Sequence, residues 1–488
     1  MSTTGDETIR AGDNRAGDNR AGDNRAGDNR AGDNRATDNT VARLERLPFG
    51  RVHLRVAGLL GVGTFFDAFD SLVIATVLTV VISTFHVGFG SAGLLISAAY
   101  VGQFVGALTL GVVAERRGRR MAFILSLATF GVLSLVAALA WNFESLLVLR
   151  LLQGIGLGAE VPIAGALFNE FVRGRSRGRA VMIYESIFSW GILLAPLIGL
   201  LFFSLFGQEL GWRLLFVFGA LPVAVSVVAY FKLPESPRWL AERGRGAEAG
   251  RLLDEMEADA TARGTVLEQP QVTVAATVKP TRFGELFSPY YRRRTALSWV
   301  TWFCGYFILY GFSTWLPTLY VRLGGLPTGS ALWLTVLVSA FYLVEIYVFA
   351  LTVDRVGRKP WFVAGFALAV VGAAFGAVAI LLGATAWPVL FVAGLLMGLG
   401  ITPVTAGLYL YTPELYPTRM RAWATATGSS LNRVASAIGP ILVGALLGAG
   451  LGLPSVFAAF GVVALVGMLV MAWLGIETKQ RVLEELAE

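Results

Sequence analysis

Two loops of this chain nearly copy each other: Glu115-Arg-Arg-Gly-Arg-Arg120 and Asp354-Arg-Val-Gly-Arg-Lys359. Each loop joins the second and third apolar segments of its own half of the sequence, and the two acidic residues lie 354 − 115 = 239 positions apart. A turn made of an acid, an Arg, a Gly and further bases, found twice at one register between hydrophobic segments, indicates an internal duplication. The sequence therefore predicts a duplicated membrane protein.

The composition agrees with this prediction. Of the 488 residues, 55% are hydrophobic and 15% are charged, and the mean hydropathy is +0.64, whereas a soluble chain needs far more polar surface. Twelve apolar runs are each about long enough to cross a bilayer as a helix, the form in which backbone groups are satisfied internally. The runs lie near 56–81, 91–113, 121–140, 145–168, 181–206, 212–232, 295–320, 329–351, 361–382, 387–410, 423–447 and 454–475.

The net charge of +7 is concentrated in alternate short loops. By the positive-inside rule these loops are cytoplasmic, and an even number of spans places both termini on the same side. The prediction is a multi-pass protein of the cell membrane, with the lipid bilayer as a partner; a basic nucleic-acid-binding face is the alternative that this loop pattern disfavours. The bases are Arg116, Arg117, Arg119, Arg120, Arg173, Arg175, Arg177, Arg179, Arg355, Arg358, Lys359, Arg419 and Arg421.

The predicted fold is an all-α membrane protein with twelve transmembrane helices in two pseudo-symmetric six-helix bundles. Five copies of Ala-Gly-Asp-Asn-Arg lack any large apolar residue, so they predict a disordered tail, with a binding role left open. In order, the predicted segments are this cytoplasmic tail (1–53), the first bundle (54–232), a cytoplasmic central loop with an amphipathic helix near 246–259 (233–294), the second bundle (295–475) and a cytoplasmic tail (476–488).

Catalytic and metal chemistry find little support in the sequence. Cys304 is the single cysteine, and the two histidines, His53 and His86, lie far apart. No nucleophile–base pair or cluster of metal ligands is visible. We therefore expect no enzyme activity, no metal and no cofactor.

Ionisable side chains inside the spans are the main functional signal. A charge at the bilayer centre costs at least about 2.5–3.5 kcal/mol on insertion scales, so each needs a partner, water or a function. Four of them are predicted to line a central cavity: Asp67, Asp70, Glu160 and Arg433. Four other polar residues accompany them in the spans: Arg150, Glu185, Glu345 and Asn432.

The roles of three of these residues have alternatives. Glu185 is close enough to the cytoplasmic end of its span to pair with the basic loops. Arg150 is either a member of a structural ion pair or, as the family resemblance described below implies, part of proton coupling. Glu345 either serves the substrate and proton site or joins a gate network with Asp354.

The types of these residues suggest how a cavity would work. Carboxylates in a partly dry cavity can take up and release protons near neutral pH. A buried Arg stays charged and binds carboxylates with two donors, so Arg433 is the predicted anchor for an anionic substrate. Aromatic rings at helical spacing either stack on a planar substrate or pack normally: Trp302, Tyr306, Tyr310 and Tyr409.

Several motifs make the chain resemble the major facilitator superfamily over about 54–480. They are Gly111-Val-Val-Ala-Glu-Arg-Arg-Gly-Arg-Arg120, Arg150-Leu-Leu-Gln-Gly-Ile-Gly-Leu-Gly158, Pro234-Glu-Ser-Pro-Arg-Trp-Leu240, Glu414-Leu-Tyr-Pro-Thr-Arg-Met-Arg421 and Ile476-Glu-Thr-Lys479. The resemblance implies a monomeric carrier of small molecules that works by alternating access. It also implies that both duplicated loops act as gates, through Gly111, Glu115, Arg116, Gly118, Arg119, Asp354, Arg355, Gly357 and Arg358; simple anchoring to the membrane is the alternative.

Three further segments resemble the niacin and aromatic-acid branch of that superfamily: Phe66-Asp-Ala-Phe-Asp70, Gly156-Leu-Gly-Ala-Glu-Val-Pro162 and Tyr310-Gly-Phe-Ser-Thr-Trp-Leu-Pro317. The resemblance implies proton-coupled uptake of a small aromatic acid, with protons as co-substrate.

Three alternatives to this function stay open. An exporter or antiporter is suggested by Gly191-Ile-Leu-Leu-Ala-Pro-Leu-Ile-Gly199, which is partly similar to an antiporter motif. A sugar-like porter is disfavoured because the seventh span lacks paired glutamines. A membrane sensor is suggested by the repetitive tail alone.

Overall fold

The computed structural model describes the backbone of residues 39–270, 283–384 and 387–479, and the side chains of these residues except 174–183, 185, 418 and 422. The Ala-Gly-Asp-Asn-Arg copies, most of the C-terminal tail and the Glu185 side chain lie outside the described residues. Within these ranges the chain is helical, without a strand.

Sixteen helices follow one another along the described chain. They are α1 (39–46), α2 (Arg51–Phe85), α3 (Phe89–Arg117), α4 (Arg119–Ala137), α5 (Phe143–Phe171), α6 (Gly174–Phe218), α7 (Pro222–Lys232), α8 (Pro237–Glu242), α9 (Gly246–Ala262), α10 (Arg292–Ser313), α11 (Leu316–Arg322), α12 (Thr328–Val356), α13 (Arg358–Leu381), α14 (Trp387–Glu414), α15 (Arg421–Gly448) and α16 (Gly452–Leu474). Two short 3-10 turns, Phe283–Phe287 and Thr418–Met420, lie between them.

The described helices provide twelve spans, as predicted. Eleven helical stretches are long and apolar enough to cross a membrane, and one of them, Ser186–Lys232, has 47 residues. That stretch contains two spans, because the backbone leaves the helix at Gly207, where φ is 75°. Helices α10 and α11 together form the seventh span. The prediction of an all-α membrane protein with two six-helix bundles is confirmed.

The ends of the spans define two faces of the molecule. The side that holds the loops at Gly118 and Gly357, together with helices α8 and α9, is called the basic face. The opposite side is the far face, where α2 ends at Phe85 and α15 ends at Gly448. Asp67, Tyr100, Tyr306 and Arg433 lie near the middle of their helices, so they share one depth between the faces.

Small residues set the close packing within the first bundle. A Cβ placed on Gly154 would lie 2.1 Å from the Ala99 carbonyl oxygen, and one on Gly158 would lie 2.1 Å from the Gln103 carbonyl oxygen. Helices α3 and α5 therefore touch backbone to backbone, as small residues allow in membranes. This contact fixes the position of the polar residues on both helices.

The two bundles meet along three helix pairs in the half of the molecule near the far face. Helix α3 packs on α15, where Ser97 donates to the Ala437 carbonyl at 2.6 Å. Helix α2 contacts α11, where Thr79 donates to Thr318 at 3.2 Å. Helix α6 contacts α12. These contacts hold the bundles together on the far side of mid-depth.

Helix α9 forms where the amphipathic helix of the central loop is predicted. Its apolar stripe, with Leu253 and Met256, is buried in the same core as Leu44 of α1. Arg43 binds Glu257 at 2.8 Å, and Arg46 binds the same carboxylate at 2.7 Å. Helix α1 is thereby attached to α9, although the sequence predicts disorder up to residue 53.

Candidate functional site between the bundles

A buried ion pair lies inside the first bundle. Arg150 on α5 donates to both carboxylate oxygens of Asp70 on α2, at 2.9 and 2.8 Å. Gln153 bonds both partners, at 2.9 Å to Arg150 and 2.8 Å to Asp70. All three side chains are buried. The structure thus places Arg150 in an ion pair, one of its two predicted roles, and directs Asp70 away from the interface between the bundles.

A second charged group lies where the bundles meet. Arg433 on α15 donates to the side-chain oxygen of Gln103 on α3 at 2.7 Å. Asp67, one helical turn before Asp70, interacts electrostatically with Arg433. Asp67 is only 7% exposed, and its Oδ1 atom accepts no hydrogen bond from the described residues. Asp67 and Arg433 therefore face each other's bundle, as a central site requires.

A row of aromatic rings borders these charges. Trp302 stacks on Tyr306 at 5.5 Å between ring centroids, and Tyr306 stacks on Tyr310 at 6.0 Å. Tyr310 contacts Tyr100 of the first bundle at 5.1 Å. Tyr409 meets the Trp302 ring edge-on at 4.8 Å and is 46% exposed near the basic end of α14. The row thus runs from mid-depth toward the basic face.

The remaining predicted site residues lie apart from this cluster. Glu160 is buried inside the first bundle, where Thr64 donates to it at 3.3 Å. Asn432 accepts a hydrogen bond from Ser436 on its own helix at 3.0 Å. Glu345 is part-buried on α12, one turn from Tyr342, whose hydroxyl donates to the Gly394 carbonyl at 3.1 Å. The structure does not bring these three residues to the interface cluster.

The two duplicated loops have the same architecture in the two bundles. Arg119 binds Glu170 at 2.8 Å, and its counterpart Arg358 binds Glu414 at 3.0 Å. Glu170 and Glu414 lie 414 − 170 = 244 positions apart, close to the offset of the loops themselves. Each loop is therefore tied to the basic end of the fourth or tenth span.

A carboxylate caps the helix that follows each loop. Glu235 accepts hydrogen bonds from the backbone N–H groups of Arg119 and Arg120, both at 3.1 Å. Glu477 accepts from those of Arg358 and Lys359, at 3.1 and 3.0 Å. A negative charge at a helix N-terminus is stabilising because the N–H groups and the helix dipole both favour it. Burial raises the pKa of Glu235 above its ordinary value, although these N–H donors oppose the shift.

The loop glycines fit this cap. Gly118 has φ of 102° and Gly357 has φ of 107°, a region that favours glycine. A Cβ would also lie 2.0 Å from a Glu235 oxygen at the first position and 2.5 Å from a Glu477 oxygen at the second. The two glycines thus allow both the turn and the approach of the carboxylate.

The other predicted gate residues take little part in the ion pairs and helix caps of the loops. Asp354 binds Arg358 at 2.8 Å, whereas Glu115 is exposed and contributes its backbone carbonyl to Trp239 at 3.3 Å. Arg116 and Arg355 are exposed, and a Cβ on Gly111 would meet nothing within 4 Å. The carboxylates that meet helix N-termini are Glu235 and Glu477 rather than these loop acids.

Five residues of these sites were not predicted as site residues from the sequence: Tyr100, Gln103, Gln153, Glu235 and Glu477. Gln153 and the two glutamates lie within quoted motifs, and 477 − 235 = 242 repeats the offset of the duplication, so that signal was available. Tyr100 and Gln103 lie in an unremarkable part of α3, and nothing short of the packing of α3 on α15 identifies them.

Twelve spans in two pseudo-symmetric bundles, with charged and aromatic side chains between them at mid-depth, define a membrane transporter rather than an enzyme. The chain belongs to the sugar (and other) transporter family, whose model matches residues 59–488.

Two related transporters and one solved structure agree with this fold and this family. The niacin transporter NiaP of Acinetobacter baylyi is 32% identical over 91% of this chain and 99% of its own length. The 4-hydroxybenzoate transporter PcaK of the same organism is 29% identical, over 83% and 88%. The xylose transporter XylE of E. coli, solved in a partially occluded inward-open conformation, superposes with a TM-score of 0.68 at 17% identity, over 88% and 99% of the two chains. It shares the major facilitator fold.

Proposed function

We propose that this protein is a monomeric, proton-coupled importer of a small aromatic carboxylate, working by alternating access. The observation that carries the proposal is Arg433, a guanidinium at mid-depth on the bundle interface. Its hydrogen-bond partner among the described residues is the uncharged Gln103, and no described carboxylate lies within ion-pair distance. Its charge is therefore available to a substrate anion, and an Arg–carboxylate contact is worth about 1.5–3 kcal/mol.

The surroundings of Arg433 suit a planar ring. Arg433 acts electrostatically on Tyr310, and the aromatic row continues from Tyr310 through Tyr306 to Trp302. Stacked aromatic faces add about 0.5–1.5 kcal/mol beyond the area they bury. Niacin and 4-hydroxybenzoate, which the names of the relatives specify, are both flat rings bearing a carboxylate. Chemistry and relationship therefore favour the same substrate class.

The proton is assigned to Asp70. Its carboxylate is held by Arg150 and Gln153 in a buried site. Protonation would remove the charge that Arg150 neutralises, and a buried pair that loses one charge is strongly destabilised. A proton on Asp70 thus changes the packing of α2 on α5, next to Asp67 and the substrate site.

The orientation follows from the loop charges. By the positive-inside rule the basic face is cytoplasmic, which places both termini there in the cell membrane. The bundles are joined near the far face, so this conformation is assigned to the inward-facing state. The duplicated loops act as gates on the cytoplasmic side, and residues 54–232 and 295–475 act as the two moving bundles around a mid-membrane site.

A matched ligand pair tests the proposal. Nicotinate and nicotinamide share one ring and differ in charge, so isothermal titration of the purified protein isolates the role of the carboxylate. We expect nicotinate to bind at least about tenfold more tightly, the equivalent of one charge-assisted hydrogen bond. In Arg433→Gln this preference should disappear. Equal affinities in the unmodified protein, or binding of xylose alone, would refute the proposed substrate class.

A further inference from the structure

An apolar groove lies on the outer side of the second bundle. It follows α10 between α15 and α16 and has a volume of about 410 Å³, within the range of about 300–1,000 Å³ that ligand pockets occupy. The main contacts of α16 are with α10, α13 and α15 of its own bundle, so the groove lies away from the interface between the bundles. Its lining is apolar and includes Trp299, Phe303, Leu431 and Val466.

The groove covers the depth of one membrane leaflet. Helix α10 begins on the basic face at Arg292, and Phe303 follows 11 residues later. At the helical rise this separation is about 17 Å, and half of the hydrocarbon core of a bilayer is about 15 Å thick. On α16 the groove reaches Val463, near the middle of the helix. The groove therefore runs from the basic-face end of α10 to the middle of the membrane.

A cluster of exposed aromatic rings marks the level of the lipid headgroups beside this groove. Phe283, Phe287 and Trp423 are each 46–47% exposed. Phe287 meets the Trp299 ring edge-on at 5.5 Å, and Trp423 meets Phe283 at 5.6 Å. Aromatic rings of this kind are enriched where a membrane meets water. The basic-face end of the groove thus lies at the headgroup layer.

Two arginines without an ion-pair partner lie at the same end. Arg292 and Arg293 are exposed, and neither is within ion-pair distance of a carboxylate in the described part of the chain. Arg292, Ala296, Val300 and Phe303 follow one another at helical spacing, so Arg292 extends the face of α10 that forms the groove. A guanidinium presents a planar fork of donors that matches a phosphate group. Positive charge thus lies where a lipid phosphate would be.

We infer that the groove and the two arginines form a binding site for an anionic phospholipid of the leaflet at the basic face. One acyl chain lies in the groove, and the headgroup phosphate binds Arg292 and Arg293. The depth of the groove fits a chain from a single leaflet, and the charge at its end selects an anionic headgroup, as basic sites between membrane helices do. This site is separate from the proposed substrate site and does not depend on the substrate.

The test compares two lipids with the same acyl chains and different headgroup charge. Native mass spectrometry of the purified protein measures the binding of phosphatidylglycerol, which is anionic, and of phosphatidylcholine, which has no net charge. One base near an anionic headgroup contributes about fivefold to affinity, so two predict that phosphatidylglycerol binds at least about tenfold more tightly. In the double variant Arg292→Gln with Arg293→Gln this preference should fall to within about twofold, with phosphatidylcholine binding unchanged.

A control for the arginines removes the same charge elsewhere. Lys232 and Arg251 are exposed on the basic face and lie outside the groove. The double variant Lys232→Gln with Arg251→Gln should keep the full preference for phosphatidylglycerol.

A second pair of variants tests the groove itself. Val466→Trp fills the groove and should weaken the binding of both lipids. Leu465→Trp is the control, because Leu465 is similarly exposed on the same helix but does not line the groove. It should leave the binding of both lipids unchanged.

Several results would overturn the lipid site. They are equal affinity for the two lipids, a preference lost equally in the Lys232 and Arg251 variant, and lipid binding that Val466→Trp leaves unchanged. Glycerol phosphate that binds as tightly as phosphatidylglycerol would show that the groove takes no part. A dimer that Val466→Trp dissociates would assign the groove to a second copy of the chain instead. Nicotinate binding is measured separately, so each of these results leaves the proposed function standing.

Discussion

Arg433 and Gln103 join the two bundles at mid-depth through one hydrogen bond of 2.7 Å between charged and uncharged side chains. Because the hydrogen-bond partner of the guanidinium is neutral, a substrate carboxylate can bind Arg433 without breaking an ion pair, although Asp67 also acts on Arg433 electrostatically. The contact also links α3 to α15, the helix pair that closes the far side. The Arg433–Gln103 pair thus lies both at the proposed substrate site and in the contact that must change when the bundles move.

The first prediction is that substrate binding depends on the neutral side chain of Gln103. Gln103→Glu places a carboxylate against Arg433 at the same position, and we expect it to weaken nicotinate binding at least about tenfold by occupying the anion site. Gln103→Met keeps the volume without the charge and is the control, with affinity expected within about threefold of the parent. Isothermal titration measures both. Normal binding by Gln103→Glu would show that the anion binds elsewhere.

The Asp70–Arg150 pair gives a prediction on stability. Asp70→Leu leaves Arg150 buried without its ion-pair partner, which should destabilise the protein by about 3–5 kcal/mol. The double variant Asp70→Leu with Arg150→Leu removes both charges and should recover most of that loss. Thermal unfolding in detergent measures the melting temperatures of the parent protein, of Asp70→Leu, of Arg150→Leu and of the double variant. Additive losses in the double variant would mean that the pair does not act as a unit.

The same pair gives a prediction on coupling. Asp70→Asn keeps the size of the side chain but can no longer change charge. We expect exchange of labelled substrate between the two sides of a vesicle to continue, whereas accumulation driven by a pH gradient is lost. The Glu160→Gln variant is the comparison, because Glu160 lies away from Arg150. If gradient-driven accumulation survives in Asp70→Asn, the proton site is not Asp70.

The loop glycines give a prediction with an internal control. Gly118→Ala and Gly357→Ala each force a residue with a side chain into a positive-φ turn, at about 1–3 kcal/mol, and against a capping carboxylate. Both should lower the melting temperature and slow transport. Gly111→Ala, in a helix with open space, should be harmless. Equal effects at all three positions would argue against a specific gate geometry.

The contact between α1 and α9 depends on pH in a defined direction. Burial opposes ionisation of Glu257, but hydrogen bonds from Arg43 and Arg46 prevail and hold its pKa below the ordinary value. A carboxyl with a depressed pKa stabilises the folded contact above its unfolded pKa, and that stabilisation is lost as the pH falls through the folded value.

Hydrogen exchange of residues 39–46 measures this dependence. We expect protection to be constant from neutral pH down to the usual pKa of glutamate, about 4.3, and to disappear only at lower pH, as the pH falls through the lowered pKa of Glu257. In Glu257→Gln the protection should be weak at every pH. Protection that rises on acidification would contradict the assigned ion pair.

The fold was largely readable from the sequence because membrane helices carry a strong local signal. The repeat of the Gly118 and Gly357 loops predicted the duplication, and the apolar runs predicted the twelve spans. The exception is α1, whose attachment to α9 depends on Arg43 binding Glu257, 214 residues further along the chain. Local composition cannot reveal such a contact.

The site was only partly readable. The presence of a charge inside a span identified Asp67 and Arg433. It could not distinguish them from Glu160, whose neighbours in the sequence are equally apolar but whose side chain lies within one bundle. The direction in which each side chain points depends on helix rotation. The roles of Tyr100 and Gln103 arise from the packing of α3 on α15, which no residue pattern encodes.

Uptake of radiolabelled 4-hydroxybenzoate into proteoliposomes under an imposed pH gradient tests whether this protein is a proton-coupled importer of aromatic carboxylates. With the outside acidic, we expect accumulation that exceeds the passive diffusion seen in protein-free and Arg433→Gln vesicles, that collapses with a protonophore, and that is competed by benzoate but not by xylose. Uptake equal to that of Arg433→Gln vesicles, or accumulation only when the inside is acidic, as an antiporter requires, would contradict it.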